Sequence, residues 1–100
     1  MVFNIIFSPR AAQELHNLEF DPDSQDIKKL LKVRKCLGLL ETNPKHPGLQ
    51  THEFRNLKGM NGEKVWEAYV EDKSPAAWRV IWHYGPGQGT ISIIAITPHP

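Results

Sequence analysis

Residues 64–84 constrain the fold of this chain most, because two arms rich in β-branched and aromatic residues flank a short polar segment. The arms are KVWEAYVE and AAWRVIWHY, and the segment between them is DKSP. This composition predicts a β-hairpin, with its turn near Ser74. Side chains alternate between the two faces of a strand, so one face collects indoles and aliphatic groups and must be core. The cross-strand pairs predicted on that face are Trp66–Trp82, Ala68–Val80 and Val70–Trp78.

The opposite face of the predicted hairpin carries polar side chains. Tyr69 lies opposite Arg79 in this register, with Glu67 and His83 nearby on the same side. This face is therefore a candidate working surface. An arginine in the middle of a strand has two interpretations, which the sequence leaves open. It forms an ion pair with Glu67 or Glu71, or its guanidinium fork binds a phosphate.

The other elements follow from apolar periodicity and from Pro, Gly and Asn. They are a strand over 2–7, helices over 10–19 and 25–41, a short strand at 52–55 and a last strand over 90–97. Ser8 and Pro9 supply an N-cap and a first helical residue. Gly38 weakens the second helix by about 1 kcal/mol relative to Ala. The predicted buried side of the second helix comprises Ile27, Leu30, Leu31, Leu37 and Leu40.

The element order is strand, helix, helix and then three or four strands, which is β-α-α-β-β-β without the short strand at 52–55; it predicts a single α+β domain over residues 1–100. Two N-terminal helices pack on one face of a mostly antiparallel sheet of four or so strands. The first strand cannot form a hairpin across two helices. We therefore expect it to pair in parallel, or at a sheet edge, with a late strand.

Composition narrows the class of protein. The chain is 40% hydrophobic and 23% charged, with a net charge of +1 and a pI of about 7.9. It therefore lacks the strong basic excess that is common in nucleic-acid-binding domains. A single cysteine, Cys36, excludes an internal disulfide framework and fits a reducing compartment. No apolar run is long enough to span a bilayer, and the N-terminus lacks the features of a signal peptide, so we expect a cytoplasmic protein.

Most familiar catalytic motifs are absent: the sequence has no Gly-rich phosphate loop, CxxC pair or HExxH. The histidines lack ligand spacing, which predicts no metal site; they are His16, His46, His52, His83 and His99. Cys36 lies on a Leu-rich helix and is expected to be a small buried hydrophobe. Lys28, Lys32 and Lys35 share one face of that helix, which is either a solvated surface or a contact for a phosphate backbone.

Several segments together resemble the RelE/ParE superfamily of bacterial toxin–antitoxin toxins. They are Phe7-Ser8-x-x-Ala11-x-x-x-Leu15, Leu39 with Asn43-Pro44, Leu57-x-Gly59, the Trp66 hairpin with Trp78-Arg79-Val80-Ile81-Trp82, and a late Ile-Ala-Ile strand before a near-terminal His. The resemblance covers nearly the whole chain. It implies a RelE-like fold and a cognate antitoxin as partner.

The ribosome-dependent branch of this superfamily cleaves mRNA without a metal or other cofactor, through attack of the RNA 2′-hydroxyl on the adjacent phosphate. The resemblance makes Arg79 the phosphate-stabilising cation. Glu53 loosely matches the general base of YoeB-like members, and His99 matches a near-terminal general acid. Such a base, cation and acid suit this reaction. The candidate substrate contacts are Arg55, Lys58, Lys64, Tyr69, His83, Lys28, Lys32 and Lys35.

The sequence also departs from this pattern, which keeps other functions open. His99 is followed by Pro100, where YoeB-like members end in Tyr, and the chain is nearly neutral, whereas these toxins are usually basic. One alternative is a non-catalytic ParE-like toxin that acts by binding gyrase. Another is a degenerate RelE-fold interaction domain, in which the hairpin serves only as core.

Overall fold

The structure, a computed structural model, describes residues 2–20, 24–71 and 77–98; the side chains of residues 24–26 are not described. The elements are β1 (Asn4–Phe7), α1 (Pro9–Phe20), α2 (Ser24–Thr42), a 3-10 turn (Pro47–Leu49), β2 (His52–Lys58), β3 (Lys64–Tyr69), β4 (Trp78–Tyr84) and β5 (Thr90–Pro98). The predicted order is confirmed. The short strand expected at 52–55 extends to Lys58, which gives the described sheet five strands.

The sheet is mixed, with strand order β1-β5-β4-β3-β2. β1 runs parallel to β5, as predicted for a strand that two helices separate from the rest of the sheet. The other neighbouring strands are antiparallel. β1 and β2 are therefore the two edges, and the β3–β4 hairpin with β5 forms the centre.

The predicted hairpin register is correct. Trp66 pairs with Trp82, and Tyr69 pairs with Arg79. The backbone N–H of Val70 donates to the carbonyl of Trp78 at 3.1 Å, which continues the same register. The predicted turn near Ser74 lies outside the described residues.

The helices cover the tryptophan face of the sheet. Trp82 is only 1% exposed and packs in a cluster that includes Leu40 and Leu49. On α2, the buried stripe comprises Leu30, Val33, Cys36 and Leu40, with Leu37 partly buried. The prediction for Ile27 and Leu31 was wrong, because they are 56% and 59% exposed. At 3.6 residues per turn, both lie on the other side of the helix from this stripe.

Side-chain hydrogen bonds fix α1 against β5. The Ser8 hydroxyl accepts from the Ala11 N–H at 3.0 Å, as an N-cap should, and donates to the Ile94 carbonyl at 2.7 Å. One turn further on, Glu14 Oε1 accepts from the Ile96 N–H at 2.9 Å. β5 continues past the end of β1, so this carboxylate satisfies a strand donor that β1 does not reach.

Cys36 is buried as predicted. It is 3% exposed, and burial raises the pKa of its thiol to about 12. Its thiolate form is therefore suppressed, and Cys36 serves as packing. Within the described part of the chain, no helix has the length and apolarity to cross a membrane.

Two glycines provide a test of this backbone. Gly38 lies in α2 with no atom within 4 Å of an added Cβ, whereas Gly62 has a φ of +83° in the β2–β3 turn. We expect Gly38→Ala to raise the free energy of unfolding by about 0.5–1 kcal/mol, because helical Gly is entropically costly. Gly62→Ala should lower it, because an L side chain is strained at positive φ. Urea unfolding of both variants measures the difference, and equal midpoints would contradict these backbone assignments.

Candidate functional site

The polar face of the hairpin lies on the side of the sheet opposite the helices. Arg79 is 4% exposed and Glu67 is 2% exposed, so this face is buried here and is not the open surface expected from the sequence. The reason is a second small core, in which Phe54 of β2 and Ile94 of β5 pack against buried side chains of the central strands. The two charged groups therefore lie at the margin of an apolar layer.

Arg79 is held by its own strand and by its cross-strand neighbour. Its Nη1 donates to the carbonyls of Ala77 at 2.9 Å and Trp78 at 3.2 Å. Its guanidinium carbon lies 3.8 Å from the centre of the Tyr69 ring, which is a cation–π contact. Its Nε–H has no hydrogen-bond partner among the described residues. The guanidinium is thus fixed in place, with hydrogen-bonding capacity remaining.

Glu67 lies between a guanidinium and an imidazole. Its Oε1 is 4.0 Å from Arg79 Nε and 2.7 Å from His52 Nε2. The contact between Glu67 and Arg79 agrees with the first of the two interpretations of Arg79, an ion pair across the hairpin. The carboxylate also orients the histidine, as carboxylates do in catalytic His–carboxylate pairs.

His52 is the accessible member of this group, with 47% of its side chain exposed. Cross-strand pairing of His52 with Glu67 places both side chains on the Arg79 face. The His52 ring is 5.4 Å from the Tyr69 ring, and its Nδ1 is 3.4 Å from the Gln50 carbonyl. Both ring nitrogens of His52 therefore face acceptor oxygens, Nε2 that of Glu67 and Nδ1 that of Gln50.

A cavity of about 210 Å³ opens beside Arg79 and Glu67, and neither His52 nor Tyr69 is among the residues that line it. It is lined by Arg10, Phe54, Leu57, Glu67, Arg79, Ile81, Ala95, Thr97 and Pro98. Arg10 of α1 contributes a second cation. Its Nε also lies 3.4 Å from Glu14 Oε2. A small anionic group in this cavity would meet two guanidinium groups and the Glu67 carboxylate, beside an apolar wall.

The structure does not bring the predicted general base to this cavity. Glu53 pairs with Trp66, so its side chain lies on the opposite face of the sheet from Arg79. Its carboxylate contacts Lys58 Nζ at 3.6 Å and Arg55 Nε at 3.9 Å. The predicted general acid, His99, lies outside the described residues.

The predicted substrate contacts fall into separate groups. Lys28, Lys32 and Lys35 are exposed on α2, and Lys32 contacts Glu71 at 3.7 Å. Tyr69 borders a second cavity, of about 230 Å³, together with Lys32 and Lys35. Tyr69 therefore connects the Arg79 group with the α2 lysines.

Lys58 and Lys64 pair with each other across β2 and β3. Both are exposed, and Lys58 is also paired with Glu53. Like charges in cross-strand register repel each other, so this end of the β2–β3 hairpin favours a nearby anion.

His83 is far from Arg79, although it shares the face. Four strand residues separate them by about 13 Å. His83 Nδ1 donates to the Tyr84 carbonyl at 2.7 Å, and its ring lines a largely apolar cavity of about 400 Å³ beside Met60 and Glu63. His83 is thus not part of the Arg79 cluster.

Sequence reasoning missed His52 and Arg10 as site residues and treated Glu67 only as a structural partner of Arg79. His52 depends on the register between β2 and β3: the Asn61-Gly62 turn aligns Lys58 with Lys64, but the register shifts between Glu53 and Lys58, before His52 is reached. Arg10 depends on how the start of α1 meets β5. The signal that could have identified Glu67 was present, because it shares a hairpin face with Arg79.

This architecture, with two helices on a five-stranded mixed sheet of this order, is the RelE-like α+β fold. A YoeB/ParE toxin from Agrobacterium tumefaciens superimposes with a TM-score of 0.70 at 10% sequence identity, over 97% of this chain and 99% of that chain. The protein in a YoeB dimer structure from Staphylococcus aureus gives 0.66 at 16% identity, over 100% of both chains.

An archaeal RelE–RelB complex from Pyrococcus horikoshii gives a TM-score of 0.64 at 15% identity, over 98% of this chain and 96% of that chain. No protein-family model and no curated protein matches the sequence. The fold predicted from the resemblance is therefore confirmed, and the roles of individual residues must be argued from the site.

Glu63 gives a pH-dependent test of the turn between β2 and β3. Backbone N–H groups, including that of Asn61 at 2.9 Å from Oε1, hold the pKa of Glu63 below its usual value. A lowered folded-state pKa adds stability above the unfolded pKa of about 4.3, and this stability is lost as pH falls through the folded value. We expect Glu63→Gln to lose less stability than the wild type between pH 7 and pH 3. Urea midpoints at both pH values measure this, and an equal loss would contradict it.

Proposed function

We propose that this protein is the toxin of a bacterial toxin–antitoxin system and a metal-independent endoribonuclease that cleaves mRNA on the ribosome. The observation that carries the proposal is the fixed Arg79 guanidinium beside a Glu67–His52 pair, in a fold shared with YoeB/ParE and RelE toxins. The proposed reaction is attack of an RNA 2′-hydroxyl on its adjacent phosphate. It gives a 2′,3′-cyclic phosphate and a free 5′-hydroxyl.

Arg79 is the proposed electrostatic stabiliser. Two carbonyls and the Tyr69 ring already orient its guanidinium, so little reorganisation is needed when charge develops on the phosphate. Arg79 lines the cavity of about 210 Å³, so its guanidinium charge would stabilise a phosphate held there. Arg10 at the rim of the same cavity would add a second positive charge.

His52 is the proposed general base in place of Glu53. Neutral His52 would donate Nε2–H to Glu67, and its Nδ1 lone pair would accept the proton of the 2′-hydroxyl when the RNA displaces the Gln50 carbonyl, which lies 3.4 Å from Nδ1. Glu67 then stabilises the imidazolium that forms. His99, which directly follows the cavity-lining Pro98 in sequence, remains the proposed acid that protonates the leaving 5′-oxygen.

The proposed partners are mRNA on the ribosome and a cognate antitoxin, in the cytoplasm. The antitoxin proposal is supported by the Pyrococcus horikoshii neighbour, which is a RelE–RelB complex. For the RNA, we propose a path from Arg79 across Tyr69 to the lysine face of α2, because Tyr69 stacks on Arg79 at one end of this path and borders the lysine-lined cavity at the other.

Arg79 provides the first test. Inducible expression followed by mapping of transcript 5′ ends should reveal new ends within translated codons. Arg79→Lys retains a charge but loses the guanidinium fork, and we expect cleavage to fall about a hundredfold or more. Arg34→Lys is the matched control, because Arg34 is exposed on α2, contacts Glu19 of α1 and is not among the proposed substrate contacts. Full cleavage by folded Arg79→Lys would refute the proposed role of Arg79.

Arrest of growth without new 5′ ends would instead favour the ParE-like alternative, in which the protein acts by binding gyrase. The absence of both arrest and cleavage would favour an interaction domain without toxicity. Thermal melting of each variant separates loss of activity from loss of fold.

Substitutions of Glu67 and Glu53 distinguish His52 from Glu53 as the general base. Glu67→Gln removes the carboxylate that orients His52, whereas Glu53→Gln changes the opposite face of the sheet. We expect Glu67→Gln and His52→Asn to reduce single-turnover cleavage by about 10²–10⁴-fold, and Glu53→Gln to have little effect. The reverse order would reinstate Glu53 as the base.

The lysine face of α2 makes a separate prediction about RNA affinity. Replacing Lys28, Lys32 and Lys35 with Gln should weaken binding to single-stranded RNA. It should also reduce the slope of the logarithm of the binding constant against the logarithm of the salt concentration by about 0.7 for each phosphate that is no longer neutralised. Arg34→Gln is the control on the same helix, because Arg34 is directed to Glu19 of α1. Fluorescence anisotropy over a salt series measures the slope, and an unchanged slope in the triple variant would exclude this path.

A further inference from the structure

The outer edge of β1 lacks the features that usually prevent an edge strand from pairing with another chain. Such features are charged side chains, prolines and bulges. The other edge strand, β2, has them, because it carries Glu53, Arg55 and Lys58 and its pairing with β3 is irregular. β1 has the sequence Asn-Ile-Ile-Phe, carries no charge and pairs with β5 on one side only in the described sheet. The two edges are therefore not equivalent.

The backbone of β1 has hydrogen-bonding groups on its outer side. The Asn4 N–H donates to the Gly89 carbonyl at 2.7 Å, so Asn4 faces β5. Successive residues of a strand direct their N–H and C=O groups to alternate sides. Ile5 and Phe7 therefore direct theirs away from β5. These two residues offer donors and acceptors to an incoming strand.

The end of α2 limits the length of this outer edge. Phe3 also directs its N–H away from β5, and this N–H donates to the Glu41 carbonyl at 2.8 Å. An incoming strand therefore cannot pair with Phe3. At its other end β1 stops at Phe7, because Ser8 caps α1. The edge that is open to pairing is thus as long as β1 itself.

The side chains at this edge are apolar and exposed. Ile6 is 38% exposed and Phe7 is 37% exposed. Both line the cavity of about 400 Å³, as does the fully exposed Met60, so the edge and the cavity form one apolar area. Contiguous exposed apolar areas mark interaction surfaces. An apolar strand is therefore the occupant that fits this edge.

β1 is complementary to a second copy of itself in antiparallel orientation. When Ile5 of one copy lies opposite Phe7 of the other, their outward N–H and C=O groups meet and exchange hydrogen bonds. Ile6 then lies opposite Ile6 of the second copy, on a two-fold axis. No like charges meet along the two strands. The strand that each copy supplies also has the length that Glu41 leaves open.

We infer that β1 is the interface of a homodimer, in which the sheets of two copies join through antiparallel β1 strands about a two-fold axis at Ile6. The inference does not rest on the proposed nuclease, because β5 separates β1 from the strand that carries Arg79. Arg79→Lys should therefore dimerise as the wild type does, whatever its effect on cleavage.

Sedimentation over about a thousandfold range of protein concentration tests the dimer, because its fraction rises with concentration by mass action. Ile6→Lys places two like charges directly opposite each other at the axis, and we expect it to weaken dimerisation by about tenfold or more. Leu57→Lys is the matched control, because Leu57 is 43% exposed and lies on the other edge strand. Equal weakening by the two folded variants would overturn the inference. A wild type that is monomeric throughout would also overturn it and leave the edge to a strand of another protein.

A mixture of two variants tests the register. Ile6→Glu should weaken dimerisation as Ile6→Lys does, because both oppose like charges. In an equimolar mixture the opposite charges meet at the axis, so we expect dimers to be recovered. A mixture of folded variants that stays monomeric would overturn the two-fold axis at Ile6.

Ile6→Cys keeps the inference testable when the charged variants do not fold. Residues opposite each other in a non-hydrogen-bonded antiparallel pair have Cα atoms about 4.5 Å apart, which is within reach of a disulfide. Mild oxidation should therefore link two copies, as measured on a non-reducing gel. Cys36 is buried and does not compete. Leu57→Cys is the control, and absent linkage of Ile6→Cys, or equal linkage of both variants, would overturn the inference.

Discussion

The cross-strand pairing of Trp66 with Trp82 is the constraint on which the rest of the structure depends. Because side chains alternate along a strand, burial of Trp82 beneath the helices fixes the direction of every other side chain on β4. Arg79 must then face the other side, together with Glu67 and Tyr69 across the hairpin. A shift of one residue would bury Arg79 among leucines and expose Trp82. The hydrophobic effect thus sets the geometry of the charged site.

Burial of Arg79 and Glu67 is costly unless each charge is compensated. The carboxylate has His52 at 2.7 Å, and the guanidinium has two carbonyls and the Tyr69 ring. The direct separation of 4.0 Å between the two charges is long for a hydrogen bond, so the surroundings must contribute much of the compensation. The compensation of the guanidinium charge is thus shared among several neighbours and does not depend on Glu67 alone.

The sequence predicted those parts of the fold that local chemistry determines. Ser8 and Pro9 specify the start of α1, and the alternation around Trp66 and Trp82 specifies the hairpin register. The β2–β3 register could not be predicted, because β2 is irregular between Glu53 and Lys58 and pairs only at its ends. That register decides that His52, and not Glu53, lies beside Glu67. The burial of α2 was misjudged for a related reason: apolar residues alone cannot show which of two stripes the sheet covers.

The hairpin therefore presents two chemically different surfaces through one strand. Arg79 lines a cavity with charged and apolar walls on one face, and Trp82, three residues further along, lines a cavity with aromatic walls on the other. The solved structures with this fold share only 10–16% of their residues with this chain. Preservation of the fold requires only the alternating pattern, so the side chains at each cavity can change without loss of the scaffold. For this reason the fold identifies where function can lie, and the side chains that line each cavity decide what it can bind.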